Sequence, residues 1–474
     1  MHIDTAYYPI SIDEIKTKIS KKNNNRNGKY KKTKYQYTLF NSSLPANAKE
    51  IINEFGEKVI QVDGEIPLDL SVNDSDRFLF ISYDQSILTH GLHKYPAKFF
   101  PELPRWLIKR YSKENDIVLD PFAGSGTTNV EALLNRRHSV GIDIDPFSRF
   151  LAIIKTKPLN EKELIKAKKT LLDSVIKYHP QKVAEKDIPI FPYRDNWFNK
   201  DIIHELAYLK KTIDNLDSDD NIKNFYRICF SSIIRSVSNA DDNCTRTVIR
   251  KKLNKIVDPS DALKRFTETI LVNIPKTVEF SHFCPNDIDV KFPENMDARK
   301  IDYPDNYFDL AVTSPPYANA VDYPRTHQLE IYWLGISNGS LTPLKKKHVG
   351  TESVSVENYK KLHKIDIPEA DKVISNIFKK DKRRAFIVYK FLKDMNDNLK
   401  ETHRVLKDNA RYILVVGNNR IRGEIFENWK YIMQLAEKVG FKIENYFASE
   451  IIRHFIKVPR EERINTDWIV VLKK

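Results

Sequence analysis

The chain has 474 residues, 41% hydrophobic and 30% charged, which exceeds one ordinary core and predicts two or three domains without an apolar run able to span a bilayer. Met1-His2-Ile3-Asp4 lacks a secretory pattern and the three cysteines (Cys229, Cys244, Cys284) are widely spaced, so neither a disulfide framework nor a zinc site is expected, and a reducing cytoplasm is the default compartment. Lysine plus arginine outnumber aspartate plus glutamate by 78 to 64, a net charge of +14; this favours a polyanionic partner such as nucleic acid, and equally fits a Lys-, Asn- and Ile-rich composition without one.

Residues 1 to about 80 carry no catalytic pattern. Ser11 to Ser20 has the spacing of a short helix, and Lys21 to Tyr35 is a basic, Asn-rich arm that reads either as a solvated loop or as a segment lying along a phosphate backbone. From His90 to Pro104 a Pro-punctuated, aromatic and basic loop precedes a helix over Arg105 to Tyr111. Ordering such a loop is costly without a ligand, and Lys94, Tyr95 and Lys98 are placed to line a small-molecule pocket.

Ile117-Val118-Leu119 predicts a short buried strand, running into Asp120-Pro121-Phe122-Ala123-Gly124-Ser125-Gly126-Thr127-Thr128 and a helix to Asn135. The glycines allow close approach of a ligand to the backbone, and Thr127 and Thr128 can cap the helix. About twenty residues later a second strand ends at Ile142-Asp143, an acidic residue placed to hydrogen-bond ribose hydroxyls in a βαβ unit. The third glycine of a dinucleotide fingerprint is missing and no lysine follows Gly126, so the pocket suits a nucleoside without phosphates, such as S-adenosyl-L-methionine. Asp120 would then meet its amino end and Asp143 its ribose.

Between 151 and 290 the spacing is mainly helical: Glu161 to Tyr178, Lys200 to Leu216, Asn221 to Val237 and Pro259 to Val272. Arg235, Arg246 and Arg250 suit phosphate contacts, though a salt-bridged helical face would look the same.

The apolar run Phe308-Asp309-Leu310-Ala311-Val312 must end at Thr313-Ser314-Pro315-Pro316-Tyr317, because proline fixes its dihedral and donates no backbone hydrogen bond. At a strand's carboxyl end a hydroxyl, a rigid carbonyl and an aromatic ring face the ligand cleft. An exocyclic amine of a nucleobase is a poor nucleophile until acceptors engage its two hydrogens; the Ser314 hydroxyl and the Pro315 carbonyl are such acceptors, and Tyr317 offers a stacking face for a flipped base. Taken alone, the tetrapeptide also fits a strand-ending turn with a buried tyrosine. Thr342 to Val356 is a Lys-rich loop whose Lys345, Lys346, Lys347 and His348 could reach DNA or serve a lid. A long helix from Arg384 to Leu406, a strand over Arg411 to Gly417, a helix over Phe426 to Val439 and two strands, Phe441 to Tyr446 and Asp467 to Leu472, complete the chain.

In combination, the His93 to Pro101 loop, Asp120 to Thr127 and Thr313 to Tyr317 resemble the amino-methylating DNA methyltransferases, specifically the cytosine-N4 type marked by Ser-Pro-Pro-Tyr, over roughly residues 85 to 474. The resemblance implies a Rossmann-like α/β methyltransferase sheet, mainly parallel with one antiparallel edge strand, a helical insertion and an N-terminal extension. It divides the chain into 1–85, the extension with its basic arm; 86–150, donor binding; 151–290, a helical insertion and candidate for target recognition; and 291–474, the catalytic part. It implies that Lys94, Tyr95, Lys98, Asp120, Phe122, Ala123, Gly124, Ser125, Gly126, Thr127, Asp143 and Asp297 bind the donor. Ser314, Pro315, Pro316 and Tyr317 would then carry methyl transfer to N4 of a flipped cytosine in double-stranded DNA, without a metal. A restriction endonuclease is the candidate partner. The insertion departs from the family's pattern, since target recognition usually follows the adenine-contacting segment. Adenine-N6 methylation, an RNA amino methyltransferase and a DNA-binding subunit that has lost catalysis stay open as alternatives.

Overall fold

The computed structural model describes residues 36–37, 44–53, 55–318, 321–451 and 466–474; the expected helix at Ser11 and the basic arm at Lys21 to Tyr35 lie outside them. In chain order the strands are β1 (Gln36–Tyr37), β2 (Ala48–Ile52), β3 (Lys58–Asp63), β4 (Arg77–Ile81), β5 (Ile117–Asp120), β6 (His138–Gly141), β7 (Val290–Lys291), β8 (Phe308–Thr313), β9 (Leu406–Gly417), β10 (Asn419–Ile421), β11 (Glu424–Phe426), β12 (Lys442–Glu450) and β13 (Thr466–Lys473). All but β10 and β11 form one sheet in the order β1-β2-β3-β4-β12-β13-β9-β8-β5-β6-β7. From β9 to β7 neighbours run parallel, while β13 is antiparallel to both β9 and β12.

The central strands are apolar on both faces because helices cover both. Leu119, Ala311, Tyr412, Leu414, Val470 and Leu472 pack in a core with the helices Pro368–Lys380, Lys382–Val405 and Asn428–Val439. The alternate residues Val118, Leu310, Val312, Ile413, Val415, Ile469 and Val471 pack against Trp106, Leu107 and Ile108 of the helix Glu102–Tyr111. A side-chain period of two sorts each strand between the two cores, which is the signature of a doubly covered sheet. This arrangement is Rossmann-like.

Two departures from the sequence reading concern strand connectivity and helix length. The antiparallel strand β13 is interior rather than an edge, since β12 continues through a short parallel pairing with β4 (Ala448 with Arg77, Ser449 with Phe78) into β3, β2 and β1. The expected helix ending at Val272 runs from Asp261 to Phe283 through Pro275. Proline costs one hydrogen bond there, but Ile274, Thr277 and Phe280 are buried, and that packing outweighs the loss. The longer of the other helices in residues 151–290 are Glu161–Ile176, Lys200–Asp214 and Asp220–Ile234, which share an apolar core with Phe147, Leu151 and Trp333.

Candidate active site

In the order β9-β8-β5-β6, chain direction along the sheet reverses between β8 and β5, the position where open α/β sheets bind ligands at strand carboxyl ends. Both turns of interest emerge there. Thr313, the last residue of β8, donates from Oγ1 to Asp120 Oδ1, the last residue of β5, at 2.6 Å, and both side chains are buried. The Gly124 loop and the Ser314 turn therefore share one cavity of about 380 Å³, lined among others by Tyr95, Phe122, Gly124, Asp143, Asp297, Ser314 and Pro316.

On the β5 side, Ala123 N donates to Ile142 O at 2.9 Å and Gly124 N to Asp143 Oδ2 at 2.8 Å. Gly126 is the helix N-cap at φ 74°, with no side-chain cap, so the capping expected of Thr127 and Thr128 is replaced by a left-handed glycine. A Cβ on Gly126 would stand 2.8 Å from Ala152 Cβ, and one on Gly124 would touch the Tyr95 ring at 3.4 Å. Tyr95 donates to or accepts from Ser148 Oγ at 2.8 Å and stacks on Tyr323 and His327. On the β8 side, Ser314 Oγ donates to Val415 O at 3.1 Å, and Tyr317 OH donates to Asp467 Oδ1 at 2.8 Å.

The carboxylates differ by surroundings. Burial and the neighbouring charge of Asp145 push Asp143 up to about 7. Burial likewise raises Asp120 to about 6 against the hydrogen bond from Thr313, and Asp467 to about 6 against that from Tyr317. Asp145 goes the other way: burial opposes ionisation, but His348, with Nε2 3.6 Å from Oδ2, holds it below the usual range. Asp297 is also held low despite burial, by Arg299, which reaches its two oxygens at 2.9 and 2.6 Å.

Several expected site residues stand elsewhere. Asp120 is not among the residues lining the cavity; its Oδ1 accepts from Thr313 and from Phe122 N at 3.1 Å, so it joins the two turns. Lys94 is bonded through Nζ to Asp242 O at 3.1 Å, and Lys98 to Gln85 O and His90 O, which pins the loop from which Tyr95 lines the cavity. Ala123, Ser125, Gly126 and Thr127 shape the turn from behind, with Ser125 Oγ 3.5 Å from the buried Lys155 Nζ. Pro315 is buried within the turn, while Tyr317 is half-buried beside Gly350 of the cavity lining and gives its hydroxyl to Asp467.

Among the expected DNA-facing residues, Arg235 turns inward: it donates to Asp241 O, Thr245 O, Arg246 O and Cys244 O, organising the 241–246 loop. A phosphate would have to displace four carbonyls. Arg246 stays half exposed, 3.6 Å from Glu352. Arg250 is exposed beside Asp241, Lys345 pairs with Asp322 at 3.1 Å on the cavity wall, and Lys346 is exposed next to it. Tyr323, Asp145, Asp322 and Asp467 were missed, and His348, expected on DNA or in a lid, lines the cavity. Asp145 carried a signal, since Asp-Pro opening a helix is a capping pattern and Asp145 does cap Pro146–Lys155; Asp467 carried none.

Residues 4–153 match the model of the DNA methylase family. Type II methyltransferase M.MvaI of Kocuria varians is 29% identical over 75% of this chain and 82% of that protein. Type II methyltransferase M.BsoBI of Geobacillus stearothermophilus is 24% identical over 76% and 79%. Among solved structures, a SAM-dependent methyltransferase of Methanosarcina mazei aligns over 81% of this chain and 98% of its own at 12% identity, with a TM-score of 0.28.

Proposed function

We infer that this chain, whose family match and curated relatives support an amino-methylating DNA methyltransferase of the N4/N6 class, methylates N4 of cytosine flipped out of double-stranded DNA. S-adenosyl-L-methionine is the methyl donor; when bound, it supplies an electrophilic methyl carbon on a sulfonium. The observation that carries the reading is the single cavity into which the Gly124–Asp143 wall and the Ser314–Pro316 wall both open.

The donor's fit rests on three features. The cavity's size suits a nucleoside. The Asp143 carboxylate is fixed by the amides of Gly124 and Asp145, both 2.8 Å away, and its remaining lone pairs suit two ribose hydroxyls. Glycine at 124 keeps the floor clear, with Phe122 and Tyr95 as apolar walls. Asp297 would hold the adenine edge from the far side.

On the acceptor side, the Ser314 hydroxyl hydrogen is committed to Val415 O, which leaves its oxygen lone pairs to accept one amine hydrogen. The Pro315 carbonyl accepts the other. With both hydrogens engaged, the amine lone pair is localised for attack; positioning supplies most of the effect, because the sulfonium is already activated. A bound donor would supply the methyl carbon to that nitrogen with loss of its C–S bond, and the amine proton would leave to solvent. Arg246, Arg250 and Lys346 would hold the phosphate backbone, and a restriction endonuclease reading the same sequence is the proposed partner.

The reading is tested by incubating purified protein with genomic DNA lacking methylation, digesting to nucleosides and weighing the product. N4-methylcytosine is expected, with Ser314→Ala at least about 100-fold slower. N6-methyladenine would move the acceptor to adenine, and no methylated nucleoside would leave a DNA-binding subunit.

A further inference from the structure

We propose that Asp467 is a positioning residue for methyl transfer, anchoring the Tyr317 ring against which the extruded base stacks. The inference rests on the reading of Ser314 to Tyr317 as the acceptor site, and goes beyond it by assigning a partner 150 residues away in the chain.

Register places the two together. Thr313 pairs with Leu414 across β8 and β9, so Ser314 lies beside Val415 and bonds its carbonyl. Gly417, two residues on, pairs with Asp467 across β9 and β13. Because β13 is antiparallel, its first residues lie at the rim where the parallel strands end. A carboxylate at the beginning of one strand thereby faces a turn at the end of another.

Tyr317 has one hydroxyl hydrogen, and it is given to Asp467 Oδ1 at 2.8 Å. That bond fixes where the hydroxyl end of the ring sits, and with it the first side-chain torsion, which a solvent-exposed phenol would leave free. The acceptor is itself on a braced frame. Trp468 stacks on Trp429 with centroids 4.0 Å apart, Asn428 Nδ2 donates to Gly417 O at 2.6 Å, and Arg77 Nη2 reaches Thr466 Oγ1 at 3.4 Å. A ring tethered to such a frame is placed before binding, so less entropy is lost when a base stacks on it.

The test compares Asp467→Ala, Asp467→Asn, Tyr317→Phe and the Asp467→Ala/Tyr317→Phe double variant, using a duplex carrying the wild-type protein's methylation site. It reads kcat, KM and, by calorimetry, S-adenosyl-L-methionine affinity. Loss of one hydrogen bond to a charged group predicts a fall in kcat of about 10-fold for Asp467→Ala and for Tyr317→Phe. Donor affinity should stay within about twofold, since neither residue lines the donor wall. The double variant should be no slower than the slower single one, and Asp467→Asn, whose amide oxygen still accepts, should recover most of the rate. Additive losses approaching about 100-fold in the double variant would overturn the inference, as would Asp467→Asn as slow as Asp467→Ala with an equally lowered melting temperature. Wild-type protein without methyl transfer would instead remove the functional reading and this inference with it.

Discussion

The two turns that meet at the switch point are built by opposite means. The turn after β5 is closed locally, by Asp143, Ile142 and left-handed glycines within a few dozen residues of Asp120. The turn after β8 is closed from afar: Thr313 reaches Asp120 across 193 residues, Ser314 reaches Val415 across 101 and Tyr317 reaches Asp467 across 150. The donor wall is therefore a property of one βαβ unit, whereas the acceptor wall exists only once β9 and β13 have joined the sheet. Damage to the first should be felt as lost folding and donor affinity, and damage to the second as lost transfer with the donor still bound.

The strongest way to break that contrast is at Gly126. Alanine there would sit at φ 74° with its Cβ 2.8 Å from Ala152, so both the left-handed backbone and the overlap count against it. We expect Gly126→Ala to destabilise the protein by about 2–4 kcal/mol, read from denaturant unfolding. A stable Gly126→Ala protein with normal donor affinity would mean that the local turn is not what shapes this wall.

A smaller effect sharpens the same contrast through Asp143. Asp143→Ala should weaken donor binding by about 1.5–3 kcal/mol, the value of hydrogen bonds to a charged group, and leave DNA affinity unchanged in anisotropy. Its titration carries a sign. A carboxyl raised from 3.8 to about 7 binds more protons in the folded state, so the stability it supports is present below pH 4 and is lost as pH rises towards 7. Asp120 and Asp467, raised to about 6, slope the same way. Asp143→Asn should flatten the part of the unfolding profile between pH 6 and 7 specifically; an unchanged slope there would remove Asp143 as its source.

How far the sequence could be read follows the same division. The strands at Ile117, Phe308 and Arg411 were legible as short apolar runs, and the donor turn as a strand, glycines and an acidic residue at the next strand end, because those features are contiguous. Asp467 was not legible: an aspartate opening a strand is unremarkable until register shows which turn it faces. Arg235 misled for a related reason. Its position after a helix suits a phosphate contact, but the 241–246 loop folds back and offers its carbonyls first. The edge of the sheet was missed because the pairing of β12 with β4 involves only two residue pairs at a sequence distance of some 370 residues.

The smallest expected effect concerns the strap over the cavity. Residues 342–353 cross it, held by Lys345 to Asp322 at 3.1 Å, Arg299 Nη2 to Lys347 O at 2.8 Å and His348 to Asp145 at 3.6 Å. Lys345 was expected on DNA, yet its side chain is only 26% exposed and already paired, while the next residue, Lys346, is exposed. A phosphate reaching Lys345 would have to break the Asp322 pair, whose worth is at most about 1 kcal/mol, but would also have to enter a half-buried site. Lys345→Ala should therefore weaken donor affinity by less than about fivefold and leave the salt dependence of DNA binding unchanged. Lys346→Ala should do the reverse, lowering the slope of log affinity against log salt by about one with the donor unaffected. A slope lowered by Lys345→Ala would show that the strap opens on DNA and hands its lysine to the backbone, making it part of the acceptor wall.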